Sequence, residues 1–386
     1  MSSSSQSQEA SSIGEARRRL GAVEATLNSF VVGCEDLIRA LLLAAIAKEH
    51  VVVICPTGTA KASTVVTALA KLLDARLYYC LPARSMRYDE LFGPVDPSTL
   101  RRNWSEIMSS DLVFLDHVSD VGPAIASVLS SLLLNRTVYD PLSGQAVKAR
   151  LWTAIGASSK APEDPELRTL YDHFAIKAFI DRLPDEHFTE TFRVGLLEPS
   201  VKPLASMNDV RVLHDHAMAL LEGGTIEGLG RIRELCYARA LPLVGALRVR
   251  GAVVSDDLII ERLLKLCAAY LSLYGITIDN VANSPYDLVL YLARTEKELR
   301  DIKEVVDDVL GELAELAKKL EKAKKLLLAD NVQGAEEAFR EVLGYDVKRF
   351  ERAPWLKSRA EAMLSSAKRY LKLIEEKVKR PSQLRS

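Results

Sequence analysis

The sequence predicts an α/β fold: a parallel sheet sandwiched by helices, then an all-helical domain, then a charged, coiled-coil-like C-terminal helical hairpin. Three observations predict it. Runs that are apolar on both faces, at 50–54, 76–81, 111–116 and 151–158, alternate with helix-type runs at 61–73, 86–92 and 122–135. Strands of that kind separated by helices belong to parallel sheets covered on both sides. After about residue 200 the strand signal fades, and 205–295 reads as helical with turns at 222–224, 250–251 and 282–285. From Thr295 onward, Ile302, Val305, Val306, Val309, Leu313, Leu316 and Leu320 recur at 3–4 spacing among charged residues, the pattern of a long amphipathic helix.

Taken in order, residues 1–12 are polar and serine-rich and are expected to form a disordered tail. Two helices fill 13–50, with a turn at "VVG" (31–33) between them. The alternating strands and helices follow, and "TVYDPLSGQAVKA" (137–149) reads as a hairpin turning at Pro-Leu-Ser-Gly. The helical hairpin turns within 331–355 and returns through 356–380. The domains expected are therefore 1–12, 13–200, 201–295 and 296–386, the second being the sheet domain and the third a helical lid.

Composition narrows the function. Hydrophobic residues make up 48% and charged residues 27%, which suits a globular chain of 386 residues. A net charge of −1 provides no basic field for nucleic acid. The five cysteines (34, 55, 80, 236, 267) are scattered and lack CxxC spacing, as expected of thiols in a reducing compartment. The longest apolar stretch, 40–47, is too short to span a bilayer, and the start has no apolar signal region. The expectation is a soluble cytoplasmic protein without a membrane span.

The chemistry centres on "CPTGTAKAST" (55–64), which lies between the strand "VVVI" and the helix "VVTALAKLL". Strand, turn, lysine and helix is the layout of a phosphate-binding loop, whose pattern is G-x-x-x-x-G-K-[ST]. Only Lys61 matches; Cys55, Ala60 and Ala62 stand at the other three fixed positions. Lys61 and the helix start can still meet an anion. Ala62 has no hydroxyl for Mg²⁺, and Ser63 is rotated about 100° further round the helix. A second element, "LVFLDH" (112–117), is an apolar strand ending in Asp116, which can hold Mg²⁺ through water, followed by His117.

With these segments, "DELFGPVD" (89–96) and "LWTAIGASSKAPEDPELRTLYDHFAIKAF", the chain resembles the AAA+ ATPases of the MoxR/RavA group in an archaeal-looking form, over residues 16–295. The resemblance implies an AAA+ αβα P-loop sandwich with an all-helical lid. It implies ATP or ADP as ligand, against the adenine at Val32 and Gly33 and in the loop Pro56, Thr57, Gly58, Thr59, Ala60, Lys61, Ala62 and Ser63. Asp116 would be the Walker B aspartate, the one residue placed to meet a metal. His117 replaces the glutamate that polarises water, Ser159 the sensor 1 asparagine, His173 the arginine finger and Asp257 the sensor 2 arginine. The substrate-facing insert after "GPVD" is short, which leaves the family's pore-loop work in question.

The losses share one pattern. Scaffold positions are kept, while positions that perform chemistry are replaced. Loss of general-base assistance costs about 10²–10⁴ in rate, and loss of an arginine finger about 10³–10⁵. The reading is a catalytically degenerate MoxR-type protein that acts as a nucleotide-binding subunit, with Mg²⁺ in question, or as a structural subunit of an oligomeric chaperone-like assembly. Its partners would be copies of itself in a ring or helix, an active MoxR paralogue in a mixed ring, or, by analogy, a von Willebrand A-domain protein. Two alternatives stay open: an active ATPase rebuilt around His117 and His173, and a scaffold that binds no nucleotide.

Overall fold

The computed structural model describes residues 3–31, 34–55, 61–162, 164–180, 202–226, 230–249, 256–310, 314–329, 331–347 and 354–383. Helices α1 (Ser3–Phe30) and α2 (Glu35–Ala47) precede β1 (Val51–Ile54); α3 (Lys61–Leu72) leads to β2 (Leu77–Cys80). Then come α4 (Tyr88–Phe92), the short pair β3 (Val95–Asp96) and β4 (Arg101–Arg102), β5 (Leu112–Leu115) and α5 (Pro123–Asn135). The hairpin β6 (Thr137–Asp140) and β7 (Gln145–Lys148), then β8 (Thr153–Ser158), α6 (Pro165–Asp172) and β9 (Ile176–Phe179) complete this part.

Five strands form one parallel sheet in the order β2-β5-β8-β1-β9. Every residue of β1, β5 and β8 is buried, as their unbroken apolar runs require. Alternate residues feed two cores. Val51, Val53, Phe114, Ile155 and Ile176 face α2 and α3. Val52, Ile54, Val113, Leu115 and Ala154 face α5 and α6. The chain leaves β1 toward the β2 edge and returns to β9 on the other side of β1. The end of β1 is thus the switch point where open parallel sheets bind ligands.

β9 is a strand the sequence pattern does not reveal, because Lys177 interrupts its apolar run. It pairs with β1 with Val52 opposite Lys177. Residues 3–12, expected as a disordered tail, instead continue α1. Ala16, Leu20, Val23 and Leu27 bury one stripe of this helix, and once it is nucleated nothing in the serine-rich start breaks it.

The lid comprises α7 (Met207–Gly223), a small antiparallel pair β10 (Thr225–Ile226) and β11 (Gly230–Arg231), α8 (Ile232–Val249), α9 (Asp256–Tyr274) and α10 (Ile278–Leu288). Ser206 caps α7 in a reciprocal capping box with Asp209. The expected turn at 282–285 lies inside α10, which contains Pro285 and buries Val281, Tyr286 and Leu288. Tertiary burial overrides the local turn signal there. The turn expected at 250–251 lies outside the described residues.

The C-terminal region is helical, but it is more than a hairpin. After α11 (Glu296–Leu310) come α12 (Ala314–Leu328), α13 (Val332–Leu343) and α14 (Pro354–Gln383). The last three enclose a core of their own around Leu316, Leu320, Phe339, Tyr370 and Ile374, with the Phe339 and Tyr370 rings stacked at 5.1 Å. Val332, Ala335, Phe339 and Val342 give α13 its apolar stripe, and Asn331 caps it. Among the described residues no helix is long and apolar enough to cross a membrane.

Candidate functional site

Among the described residues, Asp116, His117 and Ser159 stand at the carboxyl ends of β5 and β8, Lys61 to Ser63 open α3, and His173 follows α6. β1 ends in Cys55, which is buried and whose N–H donates to the Ser158 carbonyl at 3.0 Å, so β1 and β8 stay paired to their last residues. Val32, Gly33 and the loop Pro56–Ala60 lie outside the described residues. Lys61 is the first residue of α3, so the strand-to-helix layout expected around the loop is present. Ala62 is 3% exposed and packs with Val65 and Val66, giving the core a methyl where a hydroxyl would face a metal. Ser63, one residue on, is half-buried.

Asp116 follows β5 and still belongs to its ladder, since its N–H donates to the Cys80 carbonyl at 2.8 Å. It shares the parity of Phe114 and so lies on the α3 face of the sheet. Its carboxylate is already engaged: the Tyr79 hydroxyl donates to Oδ2 at 2.6 Å. Tyr79 sits opposite Phe114 in the β2–β5 register, with ring centroids 5.5 Å apart, so Asp116 is its diagonal neighbour. Diagonal pairs lie about 7–8 Å apart at Cα, within reach of a tyrosine. Chiefly through that bond, and secondly by burial, the Tyr79 phenol is pushed up to about 12.

His117 takes the left-handed conformation (φ 56°, ψ 48°), which histidine tolerates better than most residues, and opens a short 3-10 turn. Its Nε2 lies 4.0 Å from Asp116 Oδ1 and its Nδ1 3.8 Å from Asp120 Oδ2. Ser159 is exposed just beyond β8, and the preceding hydroxyl, of Ser158, donates to the Lys160 carbonyl.

His173 closes α6 half-buried. Burial and then the neighbouring Arg262 guanidinium hold its imidazole below its ordinary value, which disfavours the charged form. The cations around it turn back into the same chain. Arg262 donates to the Asp172 carbonyl at 3.0 Å, and Arg294 lies 3.7 Å from the Asp172 carboxylate. Asp257 falls in the first turn of α9, where an acidic residue favours the helix dipole; its side chain is outside the described residues.

The family model described as the MoxR domain in the MoxR-vWA-beta-propeller ternary systems matches residues 18–215, just over half of the chain. This chain belongs to the MoxR family. The uncharacterized proteins MJ0812 and MJ0079 of Methanocaldococcus jannaschii are 26% identical over 201 residues and 27% identical over 175. The matches cover 50% and 44% of this chain, so the chain spans about half the length of these curated relatives, 52% and 45%. The crystal structure at 2.00 Å of a "putative ATPase" from Cytophaga hutchinsonii superposes with a TM-score of 0.62 at 15% identity, covering 79% of this chain and 97% of that one. At that identity the likeness is one of fold.

MoxR domains are AAA+ modules, and membership accords with ATP or ADP as ligand. Mg²⁺ is a different matter. It demands near-octahedral oxygen ligation and is usually held by one or two carboxylates together with the phosphates. In this MoxR chain the loop hydroxyl is replaced by the buried Ala62 methyl, and the Asp116 carboxylate already holds a phenol donor. Among the described residues no group of three acidic, histidine or cysteine side chains is placed to hold a metal. The residues present do not fit Mg²⁺. Sequence reasoning missed Tyr79 and Arg262, since only strand register and lid packing bring them to Asp116 and His173.

Proposed function

We propose that this MoxR chain is a catalytically degenerate AAA+ protein, serving as a nucleotide-binding or structural subunit of an oligomeric, chaperone-like assembly. One observation carries the reading. At each described catalytic position the side chain either lacks the needed chemistry or is committed elsewhere. Ala62 is a buried methyl, His117 faces Asp116 and Asp120, Ser159 is exposed past the strand end, and burial and then Arg262 disfavour the charged form of His173. The strand-to-helix frame of the loop is kept, with Lys61 at the helix start. A helix N-terminus with a lysine attracts phosphate without any metal. Since the matching family model is described from systems that pair MoxR with vWA proteins, a vWA-domain partner is the natural client or co-subunit. An active MoxR paralogue in a mixed ring would supply the missing turnover.

Thermal-shift titration with ADP and ATP, with and without Mg²⁺, beside a phosphate-release assay, tests this. The proposal expects no turnover and a stabilisation by nucleotide that Lys61→Ala removes. Mg²⁺-dependent phosphate release abolished by Lys61→Ala would instead establish an active enzyme. Absence of any nucleotide shift, with assembly unaltered, would leave a pure scaffold.

A further inference from the structure

The Tyr79–Asp116 contact gives the misfit with Mg²⁺ a specific cause. Tyr79 is 50% exposed, so its place on the edge strand β2 is not explained by a need to fill the core. Its ring leans on Phe114, and its hydroxyl reaches diagonally to the end of the neighbouring strand. There it meets the carboxylate that the family resemblance assigns to the metal. A neutral donor on a carboxylate makes a charge-assisted hydrogen bond, roughly twice as strong as one between neutral groups. The other oxygen, Oδ1, lies 4.0 Å from His117 Nε2, beyond hydrogen-bond reach, so the phenol engages Oδ2 and leaves Oδ1 without a bond from His117. A metal ion ligated directly at Oδ2 would compete with the phenol for that oxygen.

We infer that Tyr79 stands in for the divalent cation at Asp116, so that a phosphate-bearing nucleotide is held at the start of α3 without metal. The inference rests on the nucleotide reading above. Tyr79 is assigned a positioning role, acting through Asp116. It also separates two causes of metal loss that sequence alone merges. The missing Ala62 hydroxyl removes one ligand, and the Tyr79 hydroxyl blocks a second that is still present.

A four-protein cycle of the full chain decides the matter: wild type, Ala62→Ser, Tyr79→Phe and the double variant. The readout is the ratio of ADP dissociation constants in EDTA and in millimolar Mg²⁺, measured by calorimetry. Wild type and Ala62→Ser are expected to give a ratio near one, because the phenol still holds Asp116. Tyr79→Phe should raise the ratio severalfold. The double variant should reach about tenfold or more, the scale set by one hydrogen bond to a charged group. Adding Asp116→Asn to the double variant should return the ratio to one. The inference is overturned if Ala62→Ser alone acquires the full Mg²⁺ dependence, if removing the phenol leaves the ratio unchanged, or if wild type already binds ADP tenfold tighter with Mg²⁺. If none of the proteins binds ADP, the nucleotide reading itself falls and takes this inference with it. That outcome is distinct from binding with an unaltered ratio.

Discussion

His50 is 3% exposed between α2 and β1, and both of its ring nitrogens are spoken for. The Ala154 N–H donates to Nδ1 at 2.9 Å, and Nε2 lies 2.8 Å from the Leu133 carbonyl. The tautomer is therefore set: Nδ1 accepts and Nε2–H donates. Protonation would place a second donor against the Ala154 N–H in a buried site beside Arg136. Burial first, then that guanidinium, lower the imidazole from 6.5 to about 3. Because the folded value is depressed, the unfolded chain takes the proton first. The stability contribution is complete above pH 6.5 and is lost as pH falls toward 3. Linkage makes the loss about 1.4 kcal/mol per pH unit, or about 3 kcal/mol between pH 6.5 and 4.5. Against a typical total of about 5–15 kcal/mol, that is a large share. His50→Gln keeps one donor and one acceptor but cannot titrate. Urea unfolding of both proteins, followed by tryptophan fluorescence from pH 7.5 to 4.5, should show wild type losing stability faster by this amount. The variant starts lower at pH 7.5 through imperfect geometry, and the gap closes or reverses by pH 4.5. Parallel pH profiles would refute the reasoning.

Two further perturbations follow from other buried charges. Lys177 is 2% exposed, donates to the Phe174 carbonyl at 2.6 Å, and is lowered to about 7, mainly by burial and then by Arg262. Its folded value lies below the unfolded 10.5, so the penalty is full at pH 7 and below and fades as pH rises toward 10.5. Lys177→Met should raise stability at pH 7 by about 1–4 kcal/mol, on the scale of buried-charge replacements, and with it the melting temperature. At pH 9.5 the gain should shrink, and equal gains at both pH values would contradict the assignment. Arg102, with its side chain 3% exposed, spans Asp140 at 3.0 Å and Asp89 at 2.6 Å, accepts no substitute geometry, and ties the β3–β4 insert to the β6–β7 hairpin. Its Nη1 also donates to the carbonyl of Gly93, where φ is +103° and a Cβ would sit 1.9 Å from the Asn103 carbonyl oxygen. Arg102→Ala should cost about 1–3 kcal/mol by leaving the buried Asp140 carboxylate without its guanidinium, held by Leu142 and Ser143. Arg102→Lys should rescue little, since a point charge cannot match the guanidinium fork. Calorimetric melts compare the three.

Much of the fold is legible because periodicity records burial. β1, β5 and β8 are apolar at every position because both faces are covered, and the helices at 61–72 and 123–135 follow from their stripes. Failures cluster where a local signal is outvoted. Lys177 hides β9, since a strand holding a lysine does not look doubly buried. Pro285 suggests a turn that lid packing converts into helix. The stripe of Val332, Ala335, Phe339 and Val342 was available but lay inside what looked like a connecting turn.

The candidate site divides in the same way. That Ala62 has no hydroxyl, His117 no carboxylate and His173 no guanidinium is a property of residue identity, so the sequence by itself determined which side chains stand at the positions that the resemblance reads as catalytic. What those substitutes do instead depends on register and burial. Tyr79 reaches Asp116 only because β2 pairs with β5 with Tyr79 opposite Phe114, and the His173 imidazole is lowered by burial and then by Arg262, which the fold packs beside it. These partners stand 37 and 89 residues apart in the chain. A hydrogen bond or a charge interaction falls off within a few ångströms, and distance along the sequence says nothing about distance in space until the fold has closed.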